Sequence, residues 1–308
     1  MTITLTVSKQ MLAEMHQYYT EQIVKVPEYA LFQAKTAHCS ITAYLSQKVV
    51  FQGSEADFEA EIWQLRMGER PFETMELPKA HGLPEGIAAA SAIGSDEVGT
   101  GDYFGPLVVC AAYVADKKIE QLVKLGIKDS KALKDAEICR LGAATKEMIP
   151  HQVLILPNAQ YNEMIMRGVN ANGIKAFLHN QALLNLLEKL DDVPEYLIMD
   201  EFVNTQKYFA YLEQLPKKPA IVRENLHFVQ KGESVHVAVA LASILAREAF
   251  VKYMDTVSDQ LGLELPKGAG KIVDTIGRQI VRQHGEDKLR ELCKWHFANT
   301  KKILSLIK

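Results

Sequence analysis

The sequence predicts an α/β protein: a mixed central sheet flanked by helices, preceded by a small α+β domain. Three observations carry that expectation. From about residue 92 onward, short apolar runs of strand length alternate with longer stretches of helical period, as when strands and crossover helices share one sheet. Before residue 70 the order is strand, helix, two strands and helix, with the caps and turns of a small compact unit. Between them Pro71, Pro78, Gly82, Pro84 and Gly86 gather in one segment with the composition of a linker. The 308 residues therefore divide into a domain at 1–86, ending in its Pro/Gly linker, and a domain at 87–308. At roughly 150 residues per domain, the length also favours two.

In the first domain, residues 2–7 alternate polar and apolar, the period of a half-buried strand. Ser8 caps a helix running to about Ile23, with Leu12, Met15 and Tyr19 on one face. Residues 41–46 and 49–52 form two strands around a turn at Gln47 and Lys48. Ser54 caps a helix over 55–65 that would bury Phe58, Ile62 and Leu65. Tyr44, Lys48 and Phe51 suit a stacking and phosphate-binding face, although the two rings would equally suit the core. In the second domain, strands are expected at 92–95, 107–115, 153–156, 196–200 and 221–228. Helices are expected at 138–148, 174–190 and 234–254, the last apolar on most sides and so buried. The remainder is helical and ends in a basic stretch, where residues 288–308 set six Lys and Arg against Glu291.

Composition narrows the function classes. With 48% hydrophobic and 24% charged residues, the chain is ordinary for a soluble globular protein. No uncharged apolar run reaches the length of a membrane span, about 18 residues. The N-terminus lacks the basic-then-apolar order of a secretory signal. Cys39, Cys110, Cys139 and Cys293 are far apart, without CxxC or Cys/His spacing, which fits reduced thiols in a cytoplasmic protein and not a zinc site. The net charge of −3 argues against a sequence-blind nucleic-acid binder but leaves room for a local basic groove. Residues 1–87 hold 7 Lys and Arg against 11 Asp and Glu, so the acidic excess sits in the first domain. Nothing in the pattern points to a coiled coil or an obligate protein partner, and a monomer is expected.

The most informative stretch is Ser95-Asp96-Glu97-Val98-Gly99-Thr100-Gly101-Asp102-Tyr103-Phe104-Gly105-Pro106. Two adjacent carboxylates close an apolar strand and glycines follow. Neighbours on a strand point to opposite faces, so Asp96 and Glu97 serve one site only if the chain leaves strand geometry there, as Gly99 and Gly101 permit. Taken alone, a hairpin turn with solvated acids explains the segment equally well. Asp200 ends the apolar strand at 196–200, a place for a metal ligand at the carboxyl edge of a sheet or for the N-cap of the next helix. Glu233 opens the buried helix, where the helix dipole would favour a carboxylate in any case. Together the four acids suggest two-metal phosphoryl chemistry. Hard cations such as Mg²⁺ or Mn²⁺ take carboxylate oxygens, and two of them about 3.5–4 Å apart can clamp the attacking and leaving oxygens. Lys267-Gly268-Ala269-Gly270-Lys271 is not a phosphate loop, because Ile272 stands where GxxxxGK requires Ser or Thr. His236 is expected to be a satisfied core histidine, and His296 is a weaker candidate for touching substrate.

Read together, these residues resemble the type 2 ribonuclease H family, in its ribonuclease HIII branch. The motifs are Asp96-Glu97-Val98-Gly99-Thr100-Gly101 with Phe104-Gly105-Pro106-Leu107, then Lys128-Asp129-Ser130-Lys131-Ala132-Leu133, and Ile198-Met199-Asp200. Glu233-Ser234-Val235-His236-Val237-Ala238 follows, with Ala242-Ser243-Ile244-Leu245-Ala246-Arg247. Leu265-Pro266-Lys267-Gly268-Ala269 and Trp295-His296-Phe297-Ala298-Asn299-Thr300-Lys301 support them, so the resemblance runs in order over 92–302. It implies a ribonuclease H-like fold, with a first domain similar to half of a TATA-box-binding protein that helps grip substrate. It implies that Asp96, Glu97, Asp200 and Glu233 are the catalytic, metal-binding acids, with two Mg²⁺ or Mn²⁺ per site. Glutamate at the fourth position is typical of the HIII branch, where ribonuclease HII has aspartate. The implied reaction is endonucleolytic hydrolysis of the RNA strand of an RNA/DNA hybrid, leaving 5′-phosphate and 3′-hydroxyl ends. Gly99, Thr100 and Gly101 would read the 2′-OH through backbone groups, and Lys128, Ser130 and Lys131 would contact phosphate. The alternatives are a non-catalytic hybrid-binding protein and an HII-like enzyme that cuts at single-ribonucleotide junctions.

Overall fold

The computed structural model describes residues 2–24, 26–27, 30–36, 39–53, 56, 59–60, 63, 83–127, 133–215 and 219–305. The chain divides into two compact units, Met1–Glu76 and Leu77–Lys308. Of the Pro/Gly segment expected as a linker, residues 71–82 lie outside the described residues. No helix among the described residues is long and apolar enough to cross a membrane.

The first unit is built on an antiparallel sheet in the order β1-β4-β3-β2, with β1 Thr2–Thr6, β2 Ala30–Lys35, β3 Cys39–Tyr44 and β4 Lys48–Gly53. Helix α1, Lys9–Tyr18, starts at Ser8, whose hydroxyl accepts from the Met11 N–H, and ends five residues before the expected Ile23 in a short 3₁₀ turn over Thr20–Gln22. Strand β2 escapes the sequence pattern because its two inward residues are Phe32 and Ala34, too little apolar surface to register as alternation. Strand period 2 puts Leu5, Phe32, Ala34, Ile41, Ala43, Val49 and Phe51 on the buried face, against Met11, Leu12, Met15 and Tyr19. Phe51 is therefore core and not a stacking surface. By the same register Tyr44 and Lys48 belong to the opposite face, with Thr4, Gln33, Lys35, Ser40, Thr42 and Gln52. In the helix expected at 55–65, Ala56, Glu59, Ala60 and Trp63 are helical and Ala56, Ala60 and Trp63 are buried. Phe58, Ile62 and Leu65 lie outside the described residues.

The second unit is a five-stranded mixed sheet, β7-β6-β5-β8-β9. Strand β5, Ala92–Val98, pairs antiparallel with β6, Leu107–Val114, and parallel with β8, Tyr196–Asp200. Strands β7, His151–Leu156, and β9, Leu226–Val229, are its edges. Every residue of β6 is buried, which is why it reads as an unbroken apolar run. Strand β9 is shorter than the expected 221–228 because the Asn180 amide takes the backbone before it: Val222 N donates to Oδ1 at 2.9 Å and Nδ2 donates to Ala220 O at 2.7 Å.

One face of the sheet is covered by a long helix, Val237–Leu261, and the other by Ala171–Leu187. Counting after α1, the helices are α2 Asp116–Leu125, α3 Asp135–Lys146, α4 Asn158–Met166, α5 Ala171–Leu187, α6 Thr205–Glu213, α7 Gly232–Val235 and α8 Val237–Leu261. The C-terminal region adds α9 Lys271–His284, α10 Glu286–Leu292 and α11 Ala298–Ser305. The expected helix at 234–254 is thus broken at His236, which is extended and caps α8: its Nδ1 accepts from Ala238 N at 3.0 Å, while Nε2 contacts Ala90 O at 3.1 Å.

Candidate active site

The acids converge at the carboxyl end of the parallel pair. Register between β5 and β8 runs to Ser95↔Met199, so Asp96 and Asp200 follow side by side where β8 stops. The turn after β9 brings Gly232 under Asp200, whose Oδ1 accepts from Gly232 N at 2.8 Å. A Cβ on Gly232 would already lie 3.1 Å from Val239 Cγ1, so a small residue lets the turn approach. Glu233 follows immediately, with its Oε2 buried.

Asp96 and Glu97 keep strand geometry. The ladder to β6 continues through Asp96↔Cys110, Glu97↔Val109 and Val98↔Val108. The expected departure from strand geometry does not occur; β8 ends instead, leaving the β5 edge open beside both carboxylates. Asp96 lies on the α8 side, where Ser243 hydrogen-bonds it, and Glu97 on the α5 side. Burial pushes Asp96 up to about 7, with the neighbouring charges of Glu97 and Asp200 adding to the rise and Ser243 opposing it. For Glu97, burial would also raise the pKa. The His179 hydrogen bond and charge, with those of Lys175, outweigh it and hold the group at about 2.

Those partners were not read from the sequence. Lys175 and His179 stand four apart on α5, hence on one face, and both are buried. Lys175 Nζ donates to Glu97 Oε1 at 3.0 Å, and His179 Nε2 to Oε2 at 2.9 Å. Ser95 Oγ lies 2.7 Å from His179 Nδ1, and Phe202 packs on both side chains, stacked with His179 and 4.1 Å from Lys175 Nζ. The available signal was a lysine and a histidine on the buried side of an otherwise apolar helix.

The donor set is made of carboxylates, the preference of Mg²⁺ and Mn²⁺. Burial is the main cause of the raised Asp96 pKa, and the part that the charges of Glu97 and Asp200 add would be relieved by a cation placed between the acids, so the residues fit such a metal. Among the described residues, no three His, Cys, Asp or Glu side chains stand in a ready-made ligand geometry. Glu97 accounts for part of that, since both its oxygens are already engaged by α5.

Beyond β5 the chain turns through Gly99 at φ +94° and Gly105 at φ +80°. A Cβ at Gly99 would sit 2.1 Å from Pro106 O, and at Gly105 2.4 Å from Met254 Sδ, so both positions need glycine. Gly101 has no such constraint: nothing lies within 4 Å of its Cβ position, and it and Thr100 are exposed. Lys128, Ser130 and Lys131 lie outside the described residues. His236 is buried as a helix cap, and His296 stacks on Tyr161, with ring centroids 5.7 Å apart.

Residues 93–300 match the family described as Ribonuclease HII, and residues 2–74 match one described as Domain of unknown function (DUF3378). Ribonuclease HIII of Listeria monocytogenes serotype 4b (strain CLIP80459) is 45% identical over 285 residues, 92% of this chain and 91% of the relative. The chain belongs to the ribonuclease HIII family. It is accordingly a ribonuclease H, a hydrolase. Ribonuclease HIII of Bacillus mycoides (strain KBAB4) is 43% identical over 312 residues, covering 100% of this chain and 99% of its own. The crystal structure of Bst-RNase HIII in complex with Mn²⁺ matches with a TM-score of 0.71 at 42% identity, over 100% of this chain and 99% of that one.

Proposed function

We propose that this ribonuclease HIII is a cytoplasmic, monomeric endonuclease that hydrolyses the RNA strand of RNA/DNA hybrids, with Asp96, Glu97, Asp200 and Glu233 as its catalytic acids. The observation that carries the reading is the meeting of Asp96 with Asp200 where β8 stops beside β5, with Glu233 one residue beyond the amide that grips Asp200. These four carboxylates would hold two divalent cations per site. Bound there, Mg²⁺ or Mn²⁺ supplies Lewis acidity toward water and phosphate oxygens. The chain's own contribution is positional. Ser243 and the Glu97 amide orient Asp96, the latter donating at 2.7 Å. Lys175 and His179 keep Glu97 ionised and fix its plane. Exposed Thr100 and Gly101 suit backbone recognition of the ribose 2′-OH, the group that separates RNA from DNA. Residues 1–86 serve as the substrate-binding domain through the polar face of its sheet, and 87–308 as the catalytic domain.

Asp96→Asn tests the assignment. Cleavage of a labelled RNA/DNA hybrid with Mg²⁺ or Mn²⁺ is expected to fall on the order of 10³-fold, with folding retained. Turnover at the wild-type rate by that variant would remove the mechanism. A second substrate, a DNA duplex holding one ribonucleotide, is expected to remain uncut; its cleavage would move the enzyme toward the HII type of junction recognition.

A further inference from the structure

Lys294 is fully buried in the second unit, yet its hydrogen-bond partners are not carboxylates. Its Nζ donates to Asp102 O and to Gly105 O, each at 2.8 Å, and lies 5.7 Å from the centroid of the Tyr161 ring. Burying an ammonium is unfavourable unless its protons are taken up, and desolvation draws this one down to about 8. Both carbonyls that take it up belong to the loop 99–105, which leaves the strand of Asp96.

The rest of the same segment binds the same loop. Lys294 N donates to Tyr103 O at 2.8 Å, and Cys293 forms an antiparallel bridge with Phe104. The Tyr103 hydroxyl lies 3.0 Å from Thr300 Oγ1. From another side, Tyr103 N donates to Gly268 O at 2.9 Å, and Gly268 N donates to Asp102 Oδ1 at 2.6 Å. Residues 102–105 are therefore tied inward at each step, while Thr100 and Gly101 at the tip stay exposed with open space beside them. A loop with a fixed base and an open tip is built to present its tip in one shape, which removes the ordering cost from binding.

We propose that Lys294 is a positioning residue for substrate recognition, holding the base of the loop 99–105 from inside the protein so that Thr100 and Gly101 meet the ribose of the RNA strand. The inference rests on the reading of that loop as the 2′-OH reader and adds the residue that shapes it. None of the four acids hydrogen-bonds Lys294, so its removal acts on recognition before it acts on chemistry.

The test is Lys294→Met in the full-length chain, which keeps the length of the side chain and removes both hydrogen bonds. Two quantities are read: KM and kcat on the hybrid, and metal-free affinity for the hybrid relative to a DNA duplex of the same sequence. The expected result is a KM raised roughly tenfold with kcat changed less, and a hybrid-to-DNA affinity ratio lowered by a similar factor. A folded variant with wild-type KM and an unchanged ratio overturns the proposal, since lost stability alone leaves the ratio of the folded protein intact. If Lys294→Met does not fold, Tyr103→Phe and Thr300→Val decide, because each removes one hydroxyl from the same belt. A lowered ratio in both supports the proposal, and an unchanged ratio in either overturns it. A wild-type enzyme that neither prefers nor cuts the hybrid would instead refute the functional reading itself, which separates the two failures.

Discussion

Asp96 and Glu97 are adjacent in the chain, yet one is pushed up to about 7 and the other held down at about 2. The difference is set by what each meets across its face of the sheet: Asp96 meets other acids and a hydroxyl, Glu97 a lysine and a histidine. Asp96, Glu97 and Asp200 stand out in the sequence as carboxylates closing apolar runs, whereas Glu233 gains its weight only from the family resemblance. Lys175, His179 and Ser243 were not legible, since a helix conceals which of its polar residues turns inward until the sheet beneath it is placed. His236 offers a prediction at this scale. As the cap of α8 it is neutral, accepting at Nδ1, and burial lowers its pKa below the ordinary 6.5 despite the contact with Ala90. Below pH 6.5 the unfolded chain takes up a proton that the native histidine resists. Stability from this group is therefore present above that pH and is lost as pH falls toward the lowered native value. His236→Asn retains a capping acceptor and removes the titration, so its loss of Tm between pH 7 and pH 5 should be shallower than that of the wild type. Parallel curves would show that the cap does not titrate in this range.

At the scale of elements, the site depends on how closely α8 lies on β5. Gly94 marks the contact: a Cβ there would fall 2.2 Å from Ala238 C and from Val239 N, both backbone atoms that cannot step aside as a flexible side chain can. Gly94→Ala should cost about 3 kcal/mol, seen as a lowered urea midpoint, and should weaken cleavage by shifting Ser243 away from Asp96. An unchanged midpoint would mean that the helix is free to move off the sheet. The elements that sequence periodicity located well were those buried on both sides, such as β6. Helices α2 and α4 were not anticipated at all, and three other misreadings have identifiable local reasons. In β2 only Phe32 and Ala34 carry the inward face; before β9, Asn180 claims the backbone; and His236 ends one helix and begins another within an apolar run that reads as continuous.

For the whole molecule, the two units have separate cores, Met15, Phe51 and Trp63 in one and the α8–β5–β6 packing in the other. Every catalytic candidate, Lys175, His179 and the loop 99–105 belong to Leu77–Lys308. The first unit cannot attract a duplex by bulk charge, because residues 1–87 are net acidic. Under the proposed substrate-binding role, its contribution would come from short-range hydrogen bonds on the polar sheet face, where Thr4, Gln33, Ser40, Tyr44 and Gln52 surround two described lysines, Lys35 and Lys48. That composition fixes how the salt dependence should respond. Each phosphate neutralised contributes about 0.9 to the slope of log K against log salt, so removing residues 1–76 should flatten the slope by about 2 at most. The truncated enzyme is expected to bind hybrid more weakly at every salt concentration while keeping kcat, because no group on the acids is lost. Titrating full-length and truncated protein with hybrid between about 50 and 200 mM salt checks both claims. A slope flattened by more than that would mean that the unit grips phosphates through cations beyond those two, and a collapse of kcat with unchanged affinity would mean that it shapes the active site and not the grip on substrate.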